Sequence, residues 1–330
     1  MSTWRKAVPY VAHGLAFAVS FIFFIPTVFP YDVIKDREIA KFNARQKPGQ
    51  RLQVGSISGY WFSGVELRNV SFTLPSASPT QAASELKASA VRARFQILPL
   101  FLLRRAVKVS AEAMGGTLEA KYVKSSSDSN IELHVKDLDA SEVGPLKDLF
   151  GGLPIAGKVS ADAELQLPEN KISKANGTLQ VELTDMVLGD DKAMVQGFAV
   201  PKVGMGTTTI SAEVKEGTAK IARFATGGRD LDLQGEGKVR LADGSAADAT
   251  IDLTLRFKFT DALRKRNEKT QNLFGAPGGG TPGAIEYVPI LKVSKTAEGY
   301  YGWSARGSLQ NPQFLPNQLA DASLSKKGTK

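Results

Sequence analysis

The stretch Ala249-Thr-Ile-Asp-Leu-Thr-Leu-Arg-Phe-Lys-Phe-Thr260 alternates without a break. Ile251, Leu253, Leu255, Phe257 and Phe259 fall on one side of an extended chain, and Asp252, Thr254, Arg256 and Lys258 on the other. Successive strand side chains point to opposite faces, so this period of two predicts a half-buried β-strand with one apolar and one wet face. The pattern recurs outward from there. Residues 160–167 set Ala161, Ala163, Leu165 and Leu167 against Asp162, Glu164 and Gln166. Residues 178–183 put Leu179, Val181 and Leu183 on one face, and residues 91–97 set Val91, Ala93, Phe95 and Ile97 against Arg92, Arg94 and Gln96. Within residues 64–74 the apolar phase shifts between Leu67 and Val70, which predicts a bulge near Arg68–Asn69.

A refrain of glycine, a polar residue and an aliphatic one starts at Gly116, Gly157, Gly177, Gly237 and Gly307, and is expected to open strands. Turn chemistry separates the alternating segments at Pro168–Asn170, Gly189–Asp191, Gly227–Gly228 and Asp243–Gly244. Strands recurring without long intervening helices imply an antiparallel meander, drawn as one extended, curled sheet with a continuous apolar face.

Residues 7–31 (AVPYVAHGLAFAVSFIFFIPTVFPY) contain no Asp, Glu, Lys or Arg. About 20 apolar residues span a bilayer as a helix, so this stretch predicts a transmembrane anchor, with Trp4, Tyr10 and Tyr31 at its interfaces. His13 lies inside it in a packing role. A cleaved signal peptide is the rival reading, and Ile25-Pro-Thr-Val-Phe-Pro30 fits a small-x-small cleavage site poorly. Residues 32–46 read as a short helix ended by Pro48–Gly49. Residues 97–105 (ILPLFLLRR) are densely apolar and end in two arginines. They read either as a buried connector or as a membrane contact through Leu98, Leu100, Phe101, Leu102 and Leu103, with Arg104 and Arg105 at lipid phosphates. Residues 141–150 predict a short helix, residues 261–273 are polar and helix-prone, and residues 275–283 (GAPGGGTPG) predict a flexible loop.

The formal net charge of +9 concentrates in a few places. Four charges sit in residues 1–50, two in residues 261–270 and two in the last ten, which leaves the body nearly neutral. A nucleic-acid binder shows a basic stripe with interleaved aromatics on its folded part, so nucleic acid is excluded as a partner. Zero Cys removes disulfides, thiolate metal sites and cysteine nucleophiles, and two His leave no His-rich metal site. The glycines at 275–283 lack the Gly-Lys-Ser/Thr ending of a phosphate-binding loop. Asp230 and Asp232 are two apart on a strand and are candidate paired acids, though solvent-facing strand residues show the same spacing. Asp190–Asp191 reads as a turn and His134 as a wet-face residue. Asn176-Gly-Thr matches a glycosylation sequon, a pattern common by chance. The expectation is a non-enzyme without catalytic residues, cofactor or metal.

Along its length the chain resembles the type II secretion system protein N family, with AsmA-like character. The resemblance rests on Val54-Gly-Ser-Ile-Ser-Gly59 followed by Gly64-Val-Glu-Leu-Arg-Asn-Val70, and on Val91-Arg-Ala-Arg-Phe-Gln-Ile-Leu-Pro-Leu100 leading to Arg104-Arg105. Further matches are Gly115-Gly-Thr-Leu118, Leu153-Pro-Ile-Ala-Gly157, Ala175-Asn-Gly-Thr-Leu179, Gly235-Glu-Gly-Lys-Val-Arg-Leu241 and Gly307-Ser-Leu-Gln-Asn-Pro312. It implies an accessory component of type II secretion that acts by contact with other components of that system. Its AsmA-like side implies instead a lipid carrier holding phospholipid acyl chains in an apolar β-groove. The expected organisation follows: residues 1–31 as cytoplasmic tip and transmembrane anchor, 32–50 as juxtamembrane helix and linker, 51–316 as a periplasmic β-rich domain and 317–330 as a basic disordered tail. The expected fold class is mainly β, a transmembrane helix followed by a curled antiparallel sheet with a few short helices. The expected location is the inner membrane, single-pass, with the lipid bilayer as a partner.

Overall fold

The computed structural model describes residues 31–325 except 47, 62, 75–83, 97–103, 145, 147–151, 196–197, 244–247 and 310. Helix α1 (Tyr31–Ala44) leads into β1 (Arg51–Tyr60), β2 (Gly64–Leu74), β3 (Ser84–Gln96), β4 (Arg105–Ala113), β5 (Gly116–Lys124), β6 (Asp128–Asp139), β7 (Ile155–Pro168) and β8 (Asn176–Leu188). A small hairpin of β9 (Met194–Val195) and β10 (Phe198–Ala199) interrupts the order. The chain continues through β11 (Val203–Lys215), β12 (Thr218–Ala225), β13 (Leu231–Arg240) and β14 (Thr250–Phe259) to the short helices α2 (Asp261–Arg264), α3 (Glu268–Phe274) and α4 (Pro289–Ser294). Strands β15 (Tyr301–Ser308) and β16 (Asn311–Pro316) and helix α5 (Ala320–Ser325) complete it. All strands except the small hairpin pair with their sequence neighbours in one 14-stranded antiparallel sheet, as the alternation predicts.

The expected transmembrane helix is corrected. No described helix is long and apolar enough to cross a membrane. Residues 1–30, which carry most of the expected span, lie outside the described residues. Tyr31 opens a helix of a different kind, with Lys35, Asp36, Arg37, Glu38 and Lys41 along it. The single-pass inner-membrane topology drawn from that span is contradicted on the same finding.

Irregularities bend the sheet where the sequence changes phase. Asn69 takes φ 52°, and Val70 and Phe72 continue on the apolar side. The predicted bulge is not a slip between β1 and β2, because both strands skip a residue there: Val54 faces Val70 and Ser56 faces Arg68. The extra residue is absorbed one strand later, between Ala88 and Ala90 of β3 where it faces β4. Further register shifts fall in β6, β7, β8, β11 and β12. The glycine refrain opens β5 at Gly116, whereas Gly237 and Gly307 lie inside strands. At Gly177 a Cβ would lie 1.9 Å from the Glu164 carbonyl oxygen, so the neighbouring backbone excludes any side chain.

The two edges of the sheet are finished differently. On β1, the Asn43 amide from α1 donates to the Leu52 carbonyl (2.9 Å) and accepts from the Leu52 N–H (2.8 Å), standing in for a further strand. On β16, the Asn317 N–H donates to the Gly302 carbonyl. Antiparallel alternation then turns Pro312, Phe314 and Pro316 toward the free edge. Two of these three have no N–H to offer an incoming strand.

Both C-terminal loop expectations are corrected. Residues 317–325 are not a disordered tail, since α5 packs with Ala320 and Leu324 fully buried. The 275–283 loop is tied by Ala276 N–H donating to Thr281, by Gly278 N–H donating to Asp261 (3.3 Å) and by a buried Gly283 against Leu273 and Phe274. Of the helix expected over 141–150, only part lies within the described residues.

Candidate functional site

The registers carry the alternation across the whole sheet. One row of facing residues runs Gly59, Val65, Ala93, Val109, Ala120, Leu133, Ala163, Leu179, Ala212, Ile221, Gly237, Leu253, Ala305 and Phe314, one from every strand. It contains only glycine and apolar residues, so fourteen separate amphipathic strands build one apolar face. On the opposite face a parallel row runs Arg94, Lys108, Lys121, Glu132, Glu164, Thr178 and Glu213. Cross-strand ion pairs knit that face: Arg92 to Glu66 (3.1 Å) and Glu112 (2.9 Å), Lys108 to Glu119 (2.7 Å), and Lys121 to Glu132 (2.9 Å). The Lys108 hydrogen bond holds the Glu119 carboxyl below its usual range. His134 faces solvent as expected and bonds Asp162 at 2.7 Å, which raises its imidazole pKa.

What covers the apolar face changes along the chain. From β6 onward two buried clusters form on it, while Leu133, Leu179, Ile221 and Leu253 between them stay partly buried and Phe314 at the edge is exposed. Ala140, Ile155, Met186, Val203, Met205 and Leu231 pack with Leu263 of α2 and Phe274 of α3. The Phe259 and Phe274 rings approach to 4.2 Å, and Phe257 and Tyr301 to 5.4 Å. Nearer the other strand ends, the 3-10 turn Ile172–Lys174 and Ala175 close a second cluster with Leu167, Ala212, Val214 and Ala219. In β1 to β5 the same rows stay half-exposed. Among the described residues the only buried apolar ones before Leu138 are Ala90 and Ala106. Phe42 of α1 reaches Phe72 at one corner (6.4 Å), while Phe95 remains 61% and Tyr122 38% exposed on the apolar rows.

The sites expected from sequence divide. Leu98, Leu100, Phe101, Leu102 and Leu103 lie outside the described residues, while Arg104 and Arg105 are exposed at the start of β4. Asp230 and Asp232 do not act as a pair. Asp230 is buried, accepts the Gly204 N–H (2.7 Å) and pairs with Arg266. Asp232 accepts from the Tyr300 hydroxyl (2.5 Å) and the Gln234 amide (3.1 Å). With separate donors already engaged, neither is placed as a free acid or base. Asp190 caps its turn by accepting from Lys192 and Ala193 N–H, which lowers its pKa. Among the described residues no group of three or more His, Asp or Glu could hold a metal.

Arg256 is the residue that sequence reading placed wrongly. Its position in the alternation is wet, yet its side chain is only 5% exposed. It donates to Asp321 of α5 (2.8 Å), Glu298 (2.9 Å) and Gln234 (3.0 Å), and its guanidinium lies 4.4 Å from the Tyr300 ring centroid. Burial, then the hydrogen bond to Asp232, pushes the Tyr300 hydroxyl up to about 12. Every donor in this cluster is committed, so its chemistry is that of a clasp for α5. No local signal could have revealed it, because Asp321 lies 65 residues further on.

A depression of about 630 Å³ opens on the charged face over β7, β8, β11 and β12, lined by Asp162, Glu164, Gln180, Glu213 and Lys220 among others. Its lining combines those polar and charged side chains with Ala163, Leu179, Ala212 and Ala222. Compared with protein-family models, characterised proteins and solved structures, the chain matches none. The likeness to the type II secretion protein N family therefore rests on the residues quoted above alone.

Proposed function

We propose that this protein is a non-enzymatic binder of lipid, which lays acyl chains along the half-exposed apolar face of β1 to β5. The carrying observation is the contrast in cover. The rows that run into two buried clusters from β6 onward meet none, among the described residues, over the first five strands. Apolar faces of this extent are stable in water only when something occupies them, and a long hydrocarbon chain matches a flat floor of Val, Leu and Ala side chains. Native mass spectrometry of gently purified full-length protein should find copurifying phospholipid, and Val109→Asp should abolish it. Protein that carries no lipid, and takes none up from detergent-solubilised phospholipid, would sink the reading.

A second reading draws on the resemblance to type II secretion components, which work by protein contact. It is favoured by exposed Ile290 and Val293 on α4 beside exposed Leu315 and Leu319, brought together where the Gln318 side chain donates to the Val293 carbonyl (2.7 Å). Unimpaired secretion of folded exoproteins after deletion of the gene would remove it.

A further inference from the structure

We infer that the open end of the apolar face is a headgroup site for an anionic lipid, in which Arg105, Lys124 and Ser129 receive the anion. The inference rests on the lipid reading above and specifies which lipids that face takes. Register places Arg105 directly opposite Lys124, and Lys124 opposite Ser129. The next row inward on the same face is Phe95, Val107, Tyr122 and Ile131, so by alternation the two cations and the hydroxyl stand on the apolar side of the sheet at its rim.

Three observations point to a missing anion there. Like charges directly opposite each other destabilise a strand pair, yet β4 and β5 set two cations together. On the other face of these same strands, Lys108 and Lys121 each hold a glutamate, whereas Arg105 and Lys124 have no ion-pair partner among the described residues. Ser129 is 2% exposed and its hydroxyl has no hydrogen-bond partner among the described residues. A buried hydroxyl is costly to leave unpaired, and this one lies in the row of the two cations. A phosphate or carboxylate oxygen would answer all three at once.

The neighbouring row says why the anion carries a hydrocarbon tail. Phe95 and Tyr122 lie exposed just inside the cations, and Trp61, 65% exposed, sits in the adjoining turn between β1 and β2. Aromatic rings beside cations at the rim of an apolar surface match the boundary between headgroup and chain. Below them Val109, Ala120 and Leu133 continue the floor down the strands.

The test uses delipidated full-length protein offered phosphatidylglycerol or phosphatidylcholine with identical acyl chains, with bound lipid counted by native mass spectrometry. A preference of about tenfold for phosphatidylglycerol is expected, because both headgroups carry the phosphate but the trimethylammonium of phosphatidylcholine is repelled by the two cations. Arg105→Gln with Lys124→Gln should erase the preference while phosphatidylcholine uptake persists. Ser129→Ala should weaken the preference, and Lys121→Gln, whose lysine is paired on the other face, should leave it intact. Without lipid the double variant should melt no lower than the native chain, because it relieves a like-charge contact, and this separates loss of the site from loss of the fold. Equal uptake of both lipids by the native protein would overturn the headgroup site while leaving the apolar-face reading in place. Uptake of neither would overturn both. Inorganic phosphate displacing phosphatidylglycerol at equal concentration would make the site one for a free anion and overturn the lipid assignment.

Discussion

Strands β1 to β5 and strands β6 to β16 are written in the same alternating code and share the same rows, yet they end in different physical states. Ala120 and Ala212 sit in one row of facing residues. Ala212 belongs to a buried cluster, whereas Ala120 is only partly covered. The difference lies in what the chain adds outside the strands. The later strands are joined by α2, α3 and the Ile172–Lys174 turn, which supply Leu263, Phe274 and Ala175 as cover on that face, while α5 packs on the charged one. The earlier ones have α1 along one edge, tied to β1 through Asn43 and Lys35. Alternation makes a face, and only a second layer makes that face a core.

The sharpest way to break this comparison is to place a charge at the two matched positions. Ala212→Asp would bury an unpaired carboxylate and should cost about 4 kcal/mol in urea denaturation. Ala120→Asp, in the same row, should cost about 1 kcal/mol or less and instead abolish lipid uptake. Equal destabilisation by both would show that the first five strands are as sealed as the rest. Next in size is Arg256→Met, which strands Asp321 and Glu298 beside a buried position. It should lower stability by about 3 kcal/mol and release α5 to proteolysis, while lipid uptake by the first five strands stays unchanged.

The edges extend the contrast. Pro312→Thr combined with Pro316→Thr would restore two outward N–H groups on β16, and sedimentation velocity should then show concentration-dependent self-association. Asn43→Ala should expose Leu52 on the opposite edge and act in the same direction. The smallest expected effect belongs to the charged face. The His134–Asp162 bond raises the His134 pKa, so its contribution is fully present below the ordinary value of 6.5 and is lost as pH rises through the raised value. His134→Gln should therefore shift the unfolding midpoint slightly on the acid side only, and a shift confined to alkaline pH would contradict the pairing.

Much of the fold was legible in local pattern. Residues 249–260 announced β14, and the phase change between Leu67 and Val70 announced the kink at Asn69. Arg256 was misread because the same period of two that puts it on the wet face says nothing about a helix arriving there from residues 320–325. The basic ending that suggested a loose tail hid the buried Ala320 and Leu324, the first of which packs where Gly302 leaves room in β15. Arg105 was legible as a cation beside an apolar run. Its facing of Lys124 and Ser129 was not, because register depends on the turns between strands as well as on the alternation within them.

The sequence by itself determined that this chain is a meander of amphipathic strands with one apolar and one charged side, because side-chain alternation is a property of each strand alone. Only the tertiary structure decided which part of the apolar side is sealed, which arginine is buried and which two cations meet at the rim. Those outcomes depend on pairing and packing between residues tens of positions apart, where the free energy of burial is set by whatever layer arrives from elsewhere in the chain.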